Sequence, residues 1–272
     1  MKIRGSLKSL LIPVSGLFFV FFILLGLIYF FVPDNIDNFL SVQNLKTILK
    51  QTVIVGIGAM AMTVIIVSGG IDLSAGSVVA LTAVFCAHCV NWLNGDIVVL
   101  GIFPIPILFS VFVGAFIGFI NGTISARLNI APFIVTLGMM LIARGLAEGV
   151  AEQSVVRTPD NWLKTLMMRE PALEWLVFAP GVWVNVILFL VTMLLLRCSV
   201  FGRYVFAIGA NEQAAKFSGI NVTKQKILIY TLGGAMFGLA GVMSYAEIGD
   251  GDPTTAVALE LDIIAAVVIG GA

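Results

Sequence analysis

Ionisable side chains set within long apolar runs are the residues of this chain that could do chemistry, since each costs about 2.5–3.5 kcal/mol at the centre of a membrane helix. Asp72 stands in SGGIDLSAGS, after Gly69-Gly70 and before Ser74. The pattern reads as a glycine break and then a helix start, with Asp72 or Ser74 as the cap. A broken helix at membrane depth is tolerated mainly where it lines a cavity or is buried in protein, so solute contact stays open beside capping. Arg144 has Glu148 one turn onward, a spacing that lets the two pair, as a salt bridge near a helix end or as a polar lining. Glu260 and Asp262, in ALELDIIAAVVIGG, point to different helix faces, which argues against a catalytic pair. They can cap a re-entrant helix or meet solute at an outer vestibule. Asn121, in GFINGTISARL, can bond across helices or contact solute.

Other chemistries find little support. Cys86-Ala-His88-Cys89 resembles a metal or redox motif, but VVALTAVF precedes it and VNWL follows, so it reads as membrane helix. His88 is the sole histidine and no second Cys/His pair exists to complete a tetrahedral site, so no metal is expected. Neither G-x-x-x-x-G-K-[ST] nor G-x-S-x-G nor H-E-x-x-H occurs. The chain is therefore expected to bind no nucleotide by a phosphate loop and to hold no catalytic residues.

The elements that must position these residues are membrane helices. Hydrophobic residues make up 60% of the chain and charged ones 11%, too much apolar surface for a soluble domain of this size to hide. Measured against the roughly 20 residues needed to span a bilayer, the apolar runs are Leu10–Val32, Thr47–Val67, Ser74–Leu93, Pro106–Ala126, Pro132–Val150, Val182–Leu196, Ile227–Ala246 and Ala256–Ala272. The first is longer than a signal-peptide core and reads as a retained helix.

Charge orients this path. Lys2, Arg4, Lys8, Arg127, Arg197, Arg203, Lys216, Lys224 and Lys226 fall on one side, while Asp34, Asp96, Glu148, Glu170, Glu247 and Asp250 fall on the other. Trp92, Trp162, Trp175 and Trp183 mark that second side as an aromatic belt, which places the N-terminus in the cytoplasm. The net-basic stretch 197–226 becomes a structured cytoplasmic loop suited to docking a soluble partner. The external loop 151–181, broken by Pro159, Pro171 and Pro180, reads as a landing site for a solute-delivering protein or as a lid. Gly114, Gly118 and Gly122, and likewise Gly145/Gly149 and Gly234/Gly238, recur at four-residue spacing, which allows close helix contact in lipid.

Four long stretches carry a resemblance: SGGIDLSAGSVVALTAV, NGTISARLNIAPFIVTLGMMLIARGLAEG, FGRYVFAIGANEQAAKFSGINVTKQKI and LELDIIAAVVIGGA. Together they resemble the permease subunits of bacterial ABC importers for simple sugars, the branch serving ribose, xylose, arabinose and galactosides. The similarity runs in order from about Asn44. It implies one all-α, polytopic transmembrane domain over 1–272, with broken or re-entrant segments and a cytoplasmic coupling helix, in the bacterial inner membrane. It further implies a second permease subunit, identical or different, a periplasmic sugar-binding protein, and a two-domain cytoplasmic ATPase that uses ATP and Mg. Gly209, Ala210, Asn211, Glu212, Ala214, Ala215 and Gly219 match the ATPase-coupling segment. Asp72, Asn121, Arg144, Glu260 and Asp262 are the candidates for the translocation path. Family members continue past this GGA with about two further apolar spans, so the chain reads as truncated. An ion-coupled secondary transporter using Asp72, Glu260 and Asp262 is the rival, though it would leave 197–226 without a purpose. Relatives serving nucleosides or a furanosyl signalling molecule keep the solute open.

Overall fold

The computed structural model describes residues 36–93, 99–100, 103–171 and 176–271, with scattered positions between 19 and 31. Most of the expected first span, Leu10–Val32, and Trp175 lie outside the described residues. In chain order the elements are α1 (Ile36–Phe39), α2 (Val42–Val67), α3 (Ala75–Trp92), α4 (Ile105–Leu128), α5 (Pro132–Val150), α6 (Pro180–Cys198), α7 (Val200–Ala210), α8 (Glu212–Phe217), α9 (Val222–Ile248) and α10 (Leu259–Ile269). A two-residue ribbon, β1 (Val99–Leu100) with β2 (Phe103–Pro104), precedes α4, and a 3-10 helix, Trp162–Met167, precedes α6. The architecture is an all-α polytopic bundle. Among the described residues six helices, α2 to α6 and α9, are long and apolar enough to cross a membrane.

Local chemistry sets the helix ends. Ser41 caps α2 by accepting the Asn44 N–H at 3.1 Å, so the helix starts five residues before the expected Thr47. Asn129, at φ +52°, turns the chain out of α4, and Pro132 opens α5. Gly249, at φ +85°, ends α9.

The core forms around α9, which is buried along most of its length against α2, α3 and α4. Its contact with α4 is backbone to backbone. A Cβ at Gly114 would meet the Gly234 carbonyl, one at Gly118 the Tyr230 carbonyl, and one at Gly238 the Ser110 carbonyl. Glycine is required here because nothing larger fits between the axes. The other expected pair behaves differently: a Cβ at Gly145 or Gly149 would meet nothing within 4 Å, so this row faces away from the other described helices.

The bundle has two chemically distinct ends. Trp92, Trp162 and Trp183, all substantially exposed, lie at the end where α3 finishes and α6 begins. Arg127, Arg197, Arg203, Lys216, Lys224 and Lys226 lie at the opposite end, with α7 and α8. At the tryptophan end, residues 151–168 fasten onto α9. Val156 bridges to Gly251, Thr158 accepts or donates at Tyr245 Oη (2.9 Å), and Asn161 Nδ2 donates to the same oxygen (2.8 Å). Leu163 and Met167 are buried beneath. This part of 151–181 thus lies over the end of α9.

Within the last apolar run, Ala256–Ala272, the described residues form α10 over Leu259–Ile269. The chain reaches it through a non-helical descent, 251–258, in which Ala256 and Ala258 adopt left-handed φ values of 57° and 63°. The stretch 197–226 carries α7 and the short α8 expected of a coupling segment. Ser199 breaks α6 from α7 and accepts the Gly202 N–H at 3.0 Å, so Arg203 and Lys216 sit on the short helices α7 and α8.

Candidate functional site

The polar residues assigned to a solute path fall into two groups with opposite surroundings. The first sits between α2 and α3, close to the basic end. Asp72 and Ser74 are buried, and the Asp72 carboxylate accepts the Ser74 N–H at 2.8 Å and the Ser74 hydroxyl at 2.6 Å. Asp72 thus caps the first turn of α3 from outside it, whereas the Ser74 side chain makes no cap bond of its own. Asn121, buried on α4, donates Nδ2 to Ser74 Oγ at 3.1 Å and so ties two helices together. The Leu73 N–H donates to Thr136 Oγ1 of α5 at 3.0 Å. Tyr230, from the first half of α9, lies against Gly70, and its hydroxyl and Asn121 Oδ1 are buried without a partner among the described residues. Sequence reasoning missed Tyr230; an aromatic hydroxyl in an otherwise apolar helix interior was the available signal. The group joins α3, α4 and α5 through these bonds.

The second group follows the descent from the tryptophan end. Arg144 does not pair with Glu148. Its Nη1 donates to the carbonyls of Pro253 (2.6 Å) and Thr255 (2.9 Å), and Nη2 to that of Ala256 (3.5 Å). The guanidinium is drawn to these oxygens because a non-helical backbone leaves its carbonyls without ladder partners, and one planar fork reaches three of them. Asp252 supports the turn by accepting the Thr254 N–H at 2.8 Å and hydroxyl at 2.7 Å. Glu260, in the first turn of α10, rests over Gly76 of α3, where a side chain would collide with its carboxylate. Asp262 is exposed, as are Thr254, Val257 and Ala258. Glu260 and Asp262 therefore diverge, as their spacing requires.

Cys86 and His88 diverge as well: Cys86 is buried, while His88 is exposed with Nε2 3.1 Å from the Val150 carbonyl.

The coupling candidates gather at the basic end. A Cβ at Gly209 would overlap the Val67 carbonyl, so α7 is seated directly on the end of α2, beside the Asp72 group. Ala210 is exposed at the end of α7. Asn211 caps α8 by accepting the Ala214 N–H at 2.9 Å. Ala215 is buried with Ile208 and Val222 in a small separate cluster. Gly219, at φ +85°, closes α8, with the Ile220 N–H donating back to Ala215. Glu212 pairs with Lys226 of α9 at 2.7 Å. The α8 helix is thus clamped to α9 at both ends. Its outer surface presents Phe217, 90% exposed, which sequence reasoning also missed. An aromatic residue in a six-residue polar helix was the signal.

Residues 44–272 match a protein family described as branched-chain amino acid transport system / permease component. Relatives include the ribose import permease RbsC of Escherichia coli K12, 38% identical over 234 residues, 86% of this chain and 71% of that one. The L-arabinose ABC transporter permease AraH of Azospirillum brasilense is 35% identical over 270 residues, 99% of this chain and 75% of that one. The galactose/methyl galactoside import permease MglC of Escherichia coli K12 is 34% identical over 265 residues, 94% and 78% respectively. No solved structure matches. With the matched region spanning all six long apolar helices, the chain belongs to this family of ABC-importer permeases, as a multi-pass membrane transport component and not an enzyme.

Proposed function

We propose that this chain is the membrane subunit of an ABC importer that carries a monosaccharide inward, powered by ATP hydrolysis in a separate subunit. The observation that carries the substrate class is the run of relatives named for ribose, L-arabinose, fructose and galactose. The family's own description names branched-chain amino acids, but an amino acid zwitterion calls for paired charge recognition, whereas a neutral sugar needs only dispersed hydrogen-bonding groups.

The basic end is the cytoplasmic one on this proposal, supported by the arginines and lysines of α6 to α9, and it puts the N-terminus inside. The ATPase docks on α7 and α8, with Phe217 as the apolar anchor and Glu212 to Gly219 as the clamped surface around it. Closure of the ATPase would push α8, and through Gly209 the end of α2, as a rigid body. The solute-binding protein lands at the tryptophan end, and a second permease subunit completes the passage.

Uptake of radiolabelled ribose, with arabinose and galactose as competitors, tests the proposal in cells depleted of ATP and in cells treated with an uncoupler. Uptake that stops on ATP depletion and survives the uncoupler is expected. The opposite pattern would favour an ion-coupled carrier and overturn the ABC assignment. Phe217→Ala is expected to abolish co-purification of a two-domain ATPase while the permease still reaches the membrane.

A further inference from the structure

The stretch 251–258 is backbone without a helix, and it lies deep in the bundle. Gly251 packs against Val84 and Ala87 of α3, whereas the Ala256 carbonyl and Leu259 reach Gly76. Those α3 positions are eight to eleven residues apart, so the chain descends about 12–16 Å along α3 before α10 begins. Trp92 marks the tryptophan-end surface, and Gly76 lies sixteen residues further in, about 24 Å along the axis of a helix crossing a core about 30 Å thick.

One side of the descent is satisfied by protein: Arg144 takes three carbonyls and Asp252 takes Thr254. The other side is uncovered among the described residues. The N–H groups of Val257 and Ala258 have no acceptor among the described residues, and both residues are exposed. The Thr254 side chain and the Asp262 carboxylate share this exposure. Hydrocarbon cannot cover unpaired amides and a carboxylate, since each such group costs several kcal/mol there.

We infer that Thr254, Val257, Ala258 and Asp262 form a water-facing strip that is one wall of the solute passage. Its solute, resting on the sugar-import proposal above, is a neutral polyhydroxyl compound whose hydroxyls exchange water for these amides, hydroxyl and carboxylate. Arg144 is then a positioning residue. It fixes the satisfied side so that the other side stays presented, and does not itself touch solute.

Single-cysteine accessibility tests this in membranes that contain the assembled complex, with Cys86, Cys89 and Cys198 replaced. A charged, membrane-impermeant methanethiosulfonate reacts with thiolate, which forms only where water reaches. Thr254→Cys and Val257→Cys are each expected to react about tenfold faster or more than Leu190→Cys on the exposed apolar face of α6, and to approach Ser154→Cys in the loop. Reaction at both positions as slow as at Leu190→Cys would overturn the inference. The readout does not depend on transport. Labelled strip positions in a complex that imports no sugar would count against the sugar proposal and leave the wetted strip in place.

Discussion

The two glycine rows of this chain look alike in sequence and have opposite fates. Gly114, Gly118 and Gly122 on α4 are closed by α9 so tightly that a methyl group would strike backbone, while Gly145 and Gly149 on α5 face open space. The polar residues divide the same way. Asp72, Ser74 and Asn121 bond to one another inside the packed half, and Thr254, Ala258 and Asp262 are displayed by the open half. One half of the molecule therefore behaves as a scaffold and the other as a surface. Spacing and residue type alone do not tell them apart. What separates them is whether a second element of the same chain arrives to cover them.

Substitutions sharpen this division, in order of expected effect. Gly118→Leu would push a side chain into the Tyr230 carbonyl and should cost about 3 kcal/mol, seen as loss of a monodisperse folded peak and a large fall in Tm in detergent. A modest effect there would mean that α4 and α9 can separate, and the scaffold would not be rigid. Ser74→Ala removes the hydroxyl bonds to the Asp72 carboxylate and the Asn121 amide, leaving the backbone N–H on Asp72, and should cost about 1–3 kcal/mol, measured as a lower Tm. If it instead changed uptake per folded molecule, the Asp72 group would belong to the passage. Arg144→Lys keeps the charge but cannot fork to three carbonyls, so uptake per folded molecule is expected to fall about tenfold with Tm nearly kept. Gly145→Leu is expected to shift the stability of the isolated chain by about 0.5 kcal/mol or less. A large shift would show that this row is already covered within one subunit.

How much of the molecule is legible in its sequence follows from what each feature depends on. The long spans are readable because a run of about 20 apolar residues has few alternatives to crossing a bilayer. The basic end is readable from the distribution of arginine and lysine, and the α4 glycine row from its spacing. The course of the descent before α10 is not, because nothing in GDPTTAVA records which of its backbone groups find partners or how far along α3 the chain runs. The partners of Arg144 are hidden for a related reason. The i,i+4 rule sees only side chains on its own helix, and the true partners are carbonyls more than a hundred residues away. Phe217 and Tyr230 escape notice because aromatic residues in a chain this apolar do not stand out until their exposure or burial is known.

Amide hydrogen–deuterium exchange on the assembled complex tests the division most directly. Amides at Val257 and Ala258 should exchange within seconds to minutes despite their depth, while those of α9 around Gly234 to Gly241 should stay protected for hours. Equal, strong protection at both would contradict the account, because the descent would then be sealed in protein and could not face a solute.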